Sequence, residues 1–331
     1  MAKTIRLLAL VVCLTMGAAL AFGAGAAERP DVIGVSKIVA HPALDAVEQG
    51  IMDELEALGY ELQFDLQNAA GDMSTAASIA SKFQSDRVRL AVGIATPTSQ
   101  ALVNALNDIP VVYAAVTDPV SAGLVDSYDQ GGSNVTGVSD MTPVKAQIEM
   151  LARLTDLRRL GHVYASGEAN AVTLAEMARE AAAELGIEFV EATVTNSAEV
   201  RQATQSIIGR VDGIYVSTDN TVVSALSSLT EVAREAGVPV MSADPSSAED
   251  FDVIAAWGFD YYQMGRVAGR LVAQILEGTP TSEIPTQFMT DPSDIDLLIN
   301  LDVANALGIT FPDDILQTAG KIVENGVLRT R

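Results

Sequence analysis

Two stretches decide the fold: VGIATPTSQALVNAL at residues 92–106 and DIPVVYAAVTDP at residues 108–119. An apolar run, a polar loop and a helix-length segment with apolar spacing lead into a second apolar run, which is typical of a βαβ unit. The second half repeats this plan in IYVSTDNTVVSALSSL at 214–229 and GVPVMSADP at 237–245. Both copies place a threonine shortly after the first strand and end the second strand in Asp-Pro. The spacings differ, so the halves share an architecture and not a strict repeat.

Strand and helix patterns alternate from residue 32 to residue 300. Because a single sheet of that many strands would be unusual, the sequence predicts an α/β protein with two doubly wound lobes and parallel sheets. The predicted N-terminal lobe comprises residues 27–140 and 259–289, and the predicted C-terminal lobe residues 141–258 and 290–331. Gly and Pro suit short connections between lobes, and they place the chain crossings near residues 139–142, 257–260 and 288–292.

The first 26 residues form a separate segment. Lys3 and Arg6 precede an uncharged apolar run that ends in small residues, as in a secretory signal peptide cleaved before Ala27. An uncleaved membrane anchor is the alternative, since residues 7–27 are long enough to span a bilayer; the small residues favour cleavage. Cys13 follows a valine inside the apolar run, where lipoproteins need a small residue, so we expect no lipid anchor.

The chain of 331 residues is strongly acidic, with 20 Lys and Arg against 43 Asp and Glu and a formal net charge of −23. Such a surface repels phosphate groups, so we expect neither nucleic acid nor an anionic membrane as a partner. Without the leader the chain has no cysteine, which excludes disulfides, thiolate catalysis and cysteine-based metal sites. Two histidines and no phosphate, dinucleotide or zinc-protease motif predict no enzyme, no metal and no cofactor.

Small polar residues stand where ligands of open parallel sheets bind, beyond the carboxyl ends of the strands. Thr96, Thr98 and Ser99 begin a helix whose free N–H groups and dipole suit an anion such as a carboxylate. In the second copy, Asp219 could pair with an ammonium group. Helix capping explains both loops equally well. Together, an anion site on one lobe and a carboxylate on the other indicate a zwitterion, and therefore an amino acid.

Further loop residues could line the same cleft between the lobes. His41 could instead cap the helix that follows it, and Trp257 could be a core residue. The full set of predicted ligand-binding residues is Ser36, His41, Thr96, Thr98, Ser99, Thr117, Asp118, Glu168, Asn170, Thr218, Asp219, Asn220, Asp244 and Trp257.

Several segments resemble ABC-transporter substrate-binding proteins of the tryptophan/tyrosine type: HPALDAVEQG, IATPTSQA, IPVVYAAVTDPVSAGLV, NVTGVSD, VDGIYVSTDNTV and GFDYYQMG. The resemblance extends over about residues 32–315. It implies a type I periplasmic binding protein fold, in which a three-strand hinge joins two Rossmann-like lobes around the ligand. It also implies a permease and an ATPase as partners.

The resemblance also implies roles for individual residues. It places Thr96, Thr98 and Ser99 near the ligand carboxylate, and Asp219 and Asn220 near the ligand ammonium group. The remaining positions that match the family segments become pocket lining, namely His41, Thr117, Asp118, Glu168 and Asn170.

The sequence therefore predicts a monomeric periplasmic protein that delivers an amino acid, aromatic or large and apolar, to an ABC importer. One alternative is a binding protein coupled to a membrane sensor, with a sugar, a purine or another metabolite as ligand. A secreted two-lobed enzyme, such as a racemase or lyase, is the other alternative. It would need Asp118, Asp219 or Asp244 as acid or base, and no partner for such a base is recognisable.

Overall fold

The computed structural model describes residues 31–291 and 294–331. The predicted leader at residues 1–26, with Cys13, lies outside the described residues, and so does Pro292 beside the third predicted crossing. None of the helices in the two described ranges combines the length and hydropathy needed to span a bilayer.

The N-terminal lobe is built on a six-stranded sheet whose pairs are all parallel. Its strands are β1 (Val32–Lys37), β2 (Gln63–Asn68), β3 (Leu90–Ile94), β4 (Val111–Ala114), β5 (Val135–Ser139) and β11 (Gln287–Phe288). Its helices are α1 (Pro42–Ala57), α2 (Met73–Asp86), α3 (Thr96–Ala105) and α10 (Tyr261–Leu276). The spatial order is β11-β5-β4-β3-β1-β2. Strands β3 and β4 are buried along their whole length, as their unbroken apolar runs predict.

The C-terminal lobe is built on an eight-stranded sheet. Its strands are β6 (Arg159–Ala165), β7 (Glu188–Val194), β8 (Gly213–Val216), β9 (Val240–Ser242), β10 (Ala255–Phe259), β12 (Ile295–Asn300), β13 (Lys321–Glu324) and β14 (Val327–Thr330). Its helices are α4 (Val144–Leu154), α5 (Ala169–Glu184), α6 (Val200–Ile207), α7 (Asn220–Val223), α8 (Leu226–Ala236), α9 (Pro245–Ala248), α11 (Leu301–Ala306) and α12 (Asp313–Thr318). The spatial order is β14-β13-β12-β10-β9-β8-β6-β7.

The chain passes between the two sheets three times. It leaves the first sheet after β5, and α4 packs into the core of the C-terminal lobe. It returns after β10, because Tyr261 and Met264 of α10 belong to the core of the N-terminal lobe. It crosses again between β11 and β12. The two-lobed fold with three crossings is thus the predicted one, while the residue-level lobe boundaries stay a prediction.

Helix α10 lies unusually close to α1. A Cβ atom added at Gly265 would lie 2.3 Å from the carbonyl oxygen of Val47, and one added at Gly50 would lie 2.2 Å from that of Tyr262. Beside this contact, Arg266 Nε donates to the carboxylate of Glu54 at 2.6 Å. Because only glycine allows such an approach of two backbones, these positions attach the returning segment to its lobe.

The sheets differ from the expectation of purely parallel pairing. Strand β12 runs antiparallel to β10, and β13 and β14 form an antiparallel hairpin that the sequence analysis did not predict. The apolar spacing over residues 222–236 predicts one helix, which the structure divides into α7 and α8. Strands β12, β13 and β14 contain none of the candidate ligand residues, whereas α7 begins at the candidate Asn220.

Candidate functional site

A small cavity lies between the two lobes at the carboxyl ends of their strands. The N-terminal lobe and its first crossing line the cavity with His41, Leu44, Ala115, Thr117, Asp140 and Tyr261. The C-terminal lobe contributes Asn170, Thr218, Asp219, Asn220, Val223 and Asp244. The cavity volume is about 10 Å³, which is about what one water molecule needs. An amino acid can therefore enter only when the lobes separate.

Seven of the residues predicted from the sequence line this cavity, and Glu168 lies beside it. Glu168 accepts hydrogen bonds from the Asn220 amide at 2.6 Å and from the Thr221 hydroxyl at 2.6 Å. The seven are His41, Thr117, Asn170, Thr218, Asp219, Asn220 and Asp244. The structure does not bring the remaining predicted residues to the cavity, namely Ser36, Thr96, Thr98, Ser99, Asp118 and Trp257. The ligand-binding roles of all fourteen stay predictions.

Two hydroxyl groups of the expected anion site bond within their own loop. Thr98 Oγ1 donates to the carbonyl oxygen of Ile94 at 2.6 Å, and Ser99 Oγ donates to that of Gly93 at 2.9 Å. Neither the Thr96 nor the Ser99 side chain caps α3, because Ala95 occupies the N-cap position. These hydroxyl groups hold the end of β3 against the start of α3.

Other predicted residues are also held outside the cavity. Asp118 accepts hydrogen bonds from the Ser121 hydroxyl at 2.6 Å and the Tyr128 hydroxyl at 2.8 Å, which fix its own loop. The hydroxyl groups of Ser36 and Thr96 are buried and have no hydrogen-bond partner in the described part of the chain.

Trp257 lies on a different surface. Its side chain lines a groove of about 450 Å³ on the C-terminal lobe, together with Met150, Leu297 and Ile315, and this groove shares no residue with the cavity. Trp257 is therefore not part of the cavity lining in this structure.

Asp219 is fully buried and serves two purposes. Its Oδ1 accepts from the Val222 N–H at 2.9 Å, which caps α7, and its Oδ2 accepts from the Ala165 N–H at 2.6 Å. Burial, together with the nearby charge of Glu168, raises the pKa of Asp219 to about 8. The sequence left helix capping and a position in the site as alternatives for Asp219. In the structure its carboxyl group caps α7 and also lines the cavity.

The sequence analysis missed Asp140 as a site residue. Its carboxyl group accepts from the Tyr261 hydroxyl at 3.0 Å and from Thr117 Oγ1 at 3.2 Å. Burial raises the pKa of Asp140 to about 6, and the charge of Asp244 adds to the effect. Asp140 directly follows β5, at the same sheet edge as the other candidates, and this position could have revealed it.

The cavity is acidic. Asp140, Asp219 and Asp244 line it, Glu168 lies beside it, and no Lys or Arg is among its lining residues. Buried carboxylates without a cation nearby are costly to ionise. A cationic group brought in by a ligand would remove that cost, so the cavity favours a ligand with an ammonium group.

Comparisons with known proteins decide the family. Residues 32–323 match the family model described as "ABC transporter substrate binding protein". The chain belongs to the ABC transporter substrate-binding protein family. A relative named tyrosine-binding protein, from Clostridioides difficile, is 38% identical to this substrate-binding protein over 83% of this chain and 80% of its own length.

Two solved structures resemble this substrate-binding protein in different degrees. An ABC domain from Streptococcus pneumoniae in complex with L-Trp is 32% identical over 89% of this chain and 100% of its own, with a TM-score of 0.85. The ligand-free, open structure of a Clostridium difficile substrate-binding protein with adhesive properties is 36% identical over 86% of this chain and 96% of its own, with a TM-score of 0.64. Since the identities are similar, the higher score indicates lobes arranged as in the L-Trp complex.

The raised pKa of Asp140 predicts how the stability of this substrate-binding protein depends on pH. A folded-state pKa above the ordinary value of 3.8 means that the folded protein holds a proton which the unfolded chain has released. The stabilisation is complete below about pH 4 and is lost as the pH rises through about 6. We expect Asp140→Asn to gain stability relative to the wild type, by up to about 3 kcal/mol between about pH 4 and pH 7.

Urea unfolding of both proteins across this pH range measures the difference. Other carboxyl groups, such as those of Glu54 and Asp212, have lowered pKa values and contribute equally to both proteins. A difference that does not change with pH would contradict the raised pKa.

Two alanines next to the cleft have backbone conformations that favour glycine. Ala95, between β3 and α3, has φ 77° and ψ 161°, and Ala115, directly after β4, has φ 55°. Such conformations cost about 1–3 kcal/mol in a residue with a Cβ atom. Both residues follow adjacent strands at the edge that faces the cavity, so part of the backbone strain lies where the lobes meet.

Ala95→Gly should therefore differ from an ordinary core substitution. We expect Ala95→Gly to leave the free energy of unfolding within about 0.5 kcal/mol of the wild type, because relief of strain offsets the lost methyl group and the added chain entropy. Ala91→Gly, in the buried centre of β3 with ordinary strand geometry, is the control and should cost about 1–2 kcal/mol. Equal losses in the two variants would exclude strain at Ala95.

Proposed function

We propose that this substrate-binding protein binds an aromatic amino acid, tyrosine or tryptophan, between its lobes and delivers it to an ABC importer. The observation that carries the proposal is the buried Asp219 in an acidic cavity whose lining contains no Lys or Arg. An α-ammonium group is the complement that such a cavity requires. The names of the relatives, a tyrosine-binding protein and a domain in complex with L-Trp, support the aromatic side chain.

Binding would proceed through opening and closing of the lobes. In the open form the ligand ammonium group approaches Asp219, and the apolar side chains of Leu44 and Val223, with Tyr261, provide surface for the ligand side chain. Closure excludes water, which strengthens the ammonium–carboxylate attraction. The ligand therefore shifts the population toward the closed form, and the closed form is the one that a permease can distinguish.

Location and partners belong to the same proposal. Substrate-binding proteins of this family work outside the cytoplasm. We place this one in the periplasm, as a monomer released by cleavage before Ala27, with a permease and an ATPase as its partners. The mass of the exported protein tests the cleavage site, and light scattering tests the monomeric state.

A ligand screen tests the proposed function. The protein without its leader is heated with each of the common L-amino acids and with representative sugars and nucleosides, and calorimetry follows for each compound that stabilises it. We expect L-tyrosine and L-tryptophan to raise the melting temperature by several degrees, since a ligand at 100 times its Kd contributes about 2.7 kcal/mol. Stabilisation by a sugar or nucleoside alone would contradict the proposal.

A further inference from the structure

His41 is placed at the boundary between the lobes. It occupies the N-cap position of α1, yet its side chain makes no capping hydrogen bond. The ring instead reaches α9 of the C-terminal lobe, where Nδ1 lies 3.3 Å from Ser247 Oγ. The sequence alternative of His41 as a side-chain cap is therefore wrong, and the ring connects the two lobes.

The other ring nitrogen is available to a ligand. His41 is 9% exposed and lines the cavity, and its Nε2 has no hydrogen-bond partner among the described residues. The Asn220 side chain faces the ring closely enough to favour its charged form, but no described residue meets the geometry of a hydrogen bond to Nε2. A buried nitrogen without a partner is costly, so a ligand atom that bonds to it gains this free energy on binding.

The ring's partners determine which ligand atom fits. Ser247 donates its backbone N–H to Asp244, and its hydroxyl group lies within hydrogen-bond distance of Nδ1 of His41, where either atom can donate. When the hydroxyl donates to Nδ1, the N–H of the neutral ring is at Nε2. Burial lowers the pKa of His41 and favours this neutral form, although Asp244, Asp45 and Glu168 all face the ring and oppose the effect. An N–H directed into the cavity suits an acceptor.

We propose that His41 Nε2 donates to the carboxylate of the ligand and so distinguishes amino acids from the corresponding amines. This inference rests on the proposed function. It assigns the ligand carboxylate to a residue outside the loop that begins α3. In that loop the hydroxyl groups of Thr98 and Ser99 already donate to backbone carbonyl groups. Because Ser247 belongs to the other lobe, the ring is oriented for this bond only when the lobes are closed.

Two ligands that differ only at the carboxylate test the inference. L-Tyrosine and L-tyrosinamide are titrated calorimetrically at about pH 6, where both α-amino groups are protonated. We expect the wild type to prefer tyrosine by about ten- to a hundredfold, which is the usual value of a hydrogen bond to a charged group. His41→Ala should lose most of this preference, whereas His41→Gln, which keeps a donor, should retain part of it.

The ratio of the affinities for tyrosine and tyrosinamide decides the result, and not the affinity for either ligand alone. A general loss of packing in His41→Ala lowers the affinity for both ligands and leaves their ratio unchanged. If His41→Ala retains the wild-type ratio, the inference is overturned. This includes the case in which Thr96→Val loses the preference and His41→Ala retains it. Wild-type protein that binds both ligands equally also overturns it and leaves the proposed function intact. Wild-type protein that binds no aromatic amino acid overturns both.

Discussion

Asp219→Asn should lower the affinity for L-tyrosine or L-tryptophan by roughly 30-fold to several thousandfold. Removing one partner of a buried charge pair typically costs about 2–5 kcal/mol, which corresponds to that range. Asp219 is 0% exposed and no Lys or Arg lines the cavity, so no lysine or arginine of the lining competes with the ligand ammonium group for this carboxyl group. Calorimetric titration of wild type and variant measures the loss.

The comparison needs a ligand control, because asparagine also changes the protein. Asp219 accepts N–H groups of Val222 and Ala165 with its two oxygens, whereas asparagine has one acceptor oxygen. The N–H that loses its partner costs about 1–3 kcal/mol of stability. We therefore compare tyrosine with hydroxyphenylpropionate, its deaminated analogue. The wild type should strongly prefer tyrosine, and the variant should bind both about equally.

Asp72→Asn is the matched protein control. Asp72 caps α2 on the exposed surface of the N-terminal lobe, where it accepts from the Thr75 N–H at 2.6 Å. Since asparagine caps about as well as aspartate, this variant should keep both the stability and the tyrosine affinity of the wild type. Undiminished preference for tyrosine in Asp219→Asn would remove Asp219 from the ammonium site.

Gly265→Ala should destabilise the protein by about 3 kcal/mol, because its new methyl group would lie 2.3 Å from the backbone oxygen of Val47. A backbone atom cannot move aside as a flexible side chain can, so α1 and α10 must separate along their contact. Gly209→Ala is the control, since nothing lies within 4 Å of its added Cβ atom. It should be neutral or stabilising by up to about 1 kcal/mol.

Urea unfolding of the two glycine variants gives the free energies directly. The difference between them should be near the full 3 kcal/mol expected for the clash. If Gly265→Ala unfolds at the same urea concentration as Gly209→Ala, the helices are not in the contact described here.

The sequence predicted the architecture because buried parallel strands are unbroken apolar runs. The patterns at residues 88–94 and 261–276 predict a strand and a helix, and β3 and α10 lie there. The strand β11 was missed because two residues carry no periodicity, and the direction of β12 depends on tertiary pairing. The hairpin of β13 and β14 does carry a sequence signal, namely Asn325-Gly326, both of which have positive φ.

The site could be predicted in part. Asp219 was identifiable because the repeated strand-loop-helix plan placed an acid at a strand end. Asp140 follows a strand in the same way, but its segment equally predicts a crossing between the lobes. The inward bonds of Thr98 and Ser99 were not predictable, since their acceptors are carbonyl groups of their own strand and loop. Sequence shows which residues stand at an edge and not which way their side chains turn.

The three crossings also determine the order in which an exported chain can fold. When the chain emerges from a secretion channel N-terminus first, α1 leaves the channel long before α10. Helix α10 is the element that covers α1 at their glycine contact. Strand β11, at the edge of the first sheet, emerges later still. The early chain therefore exposes an apolar helix face of the kind that chaperones bind. We expect the N-terminal lobe to become native only after most of the C-terminal lobe has been released, so that the lobes mature almost together.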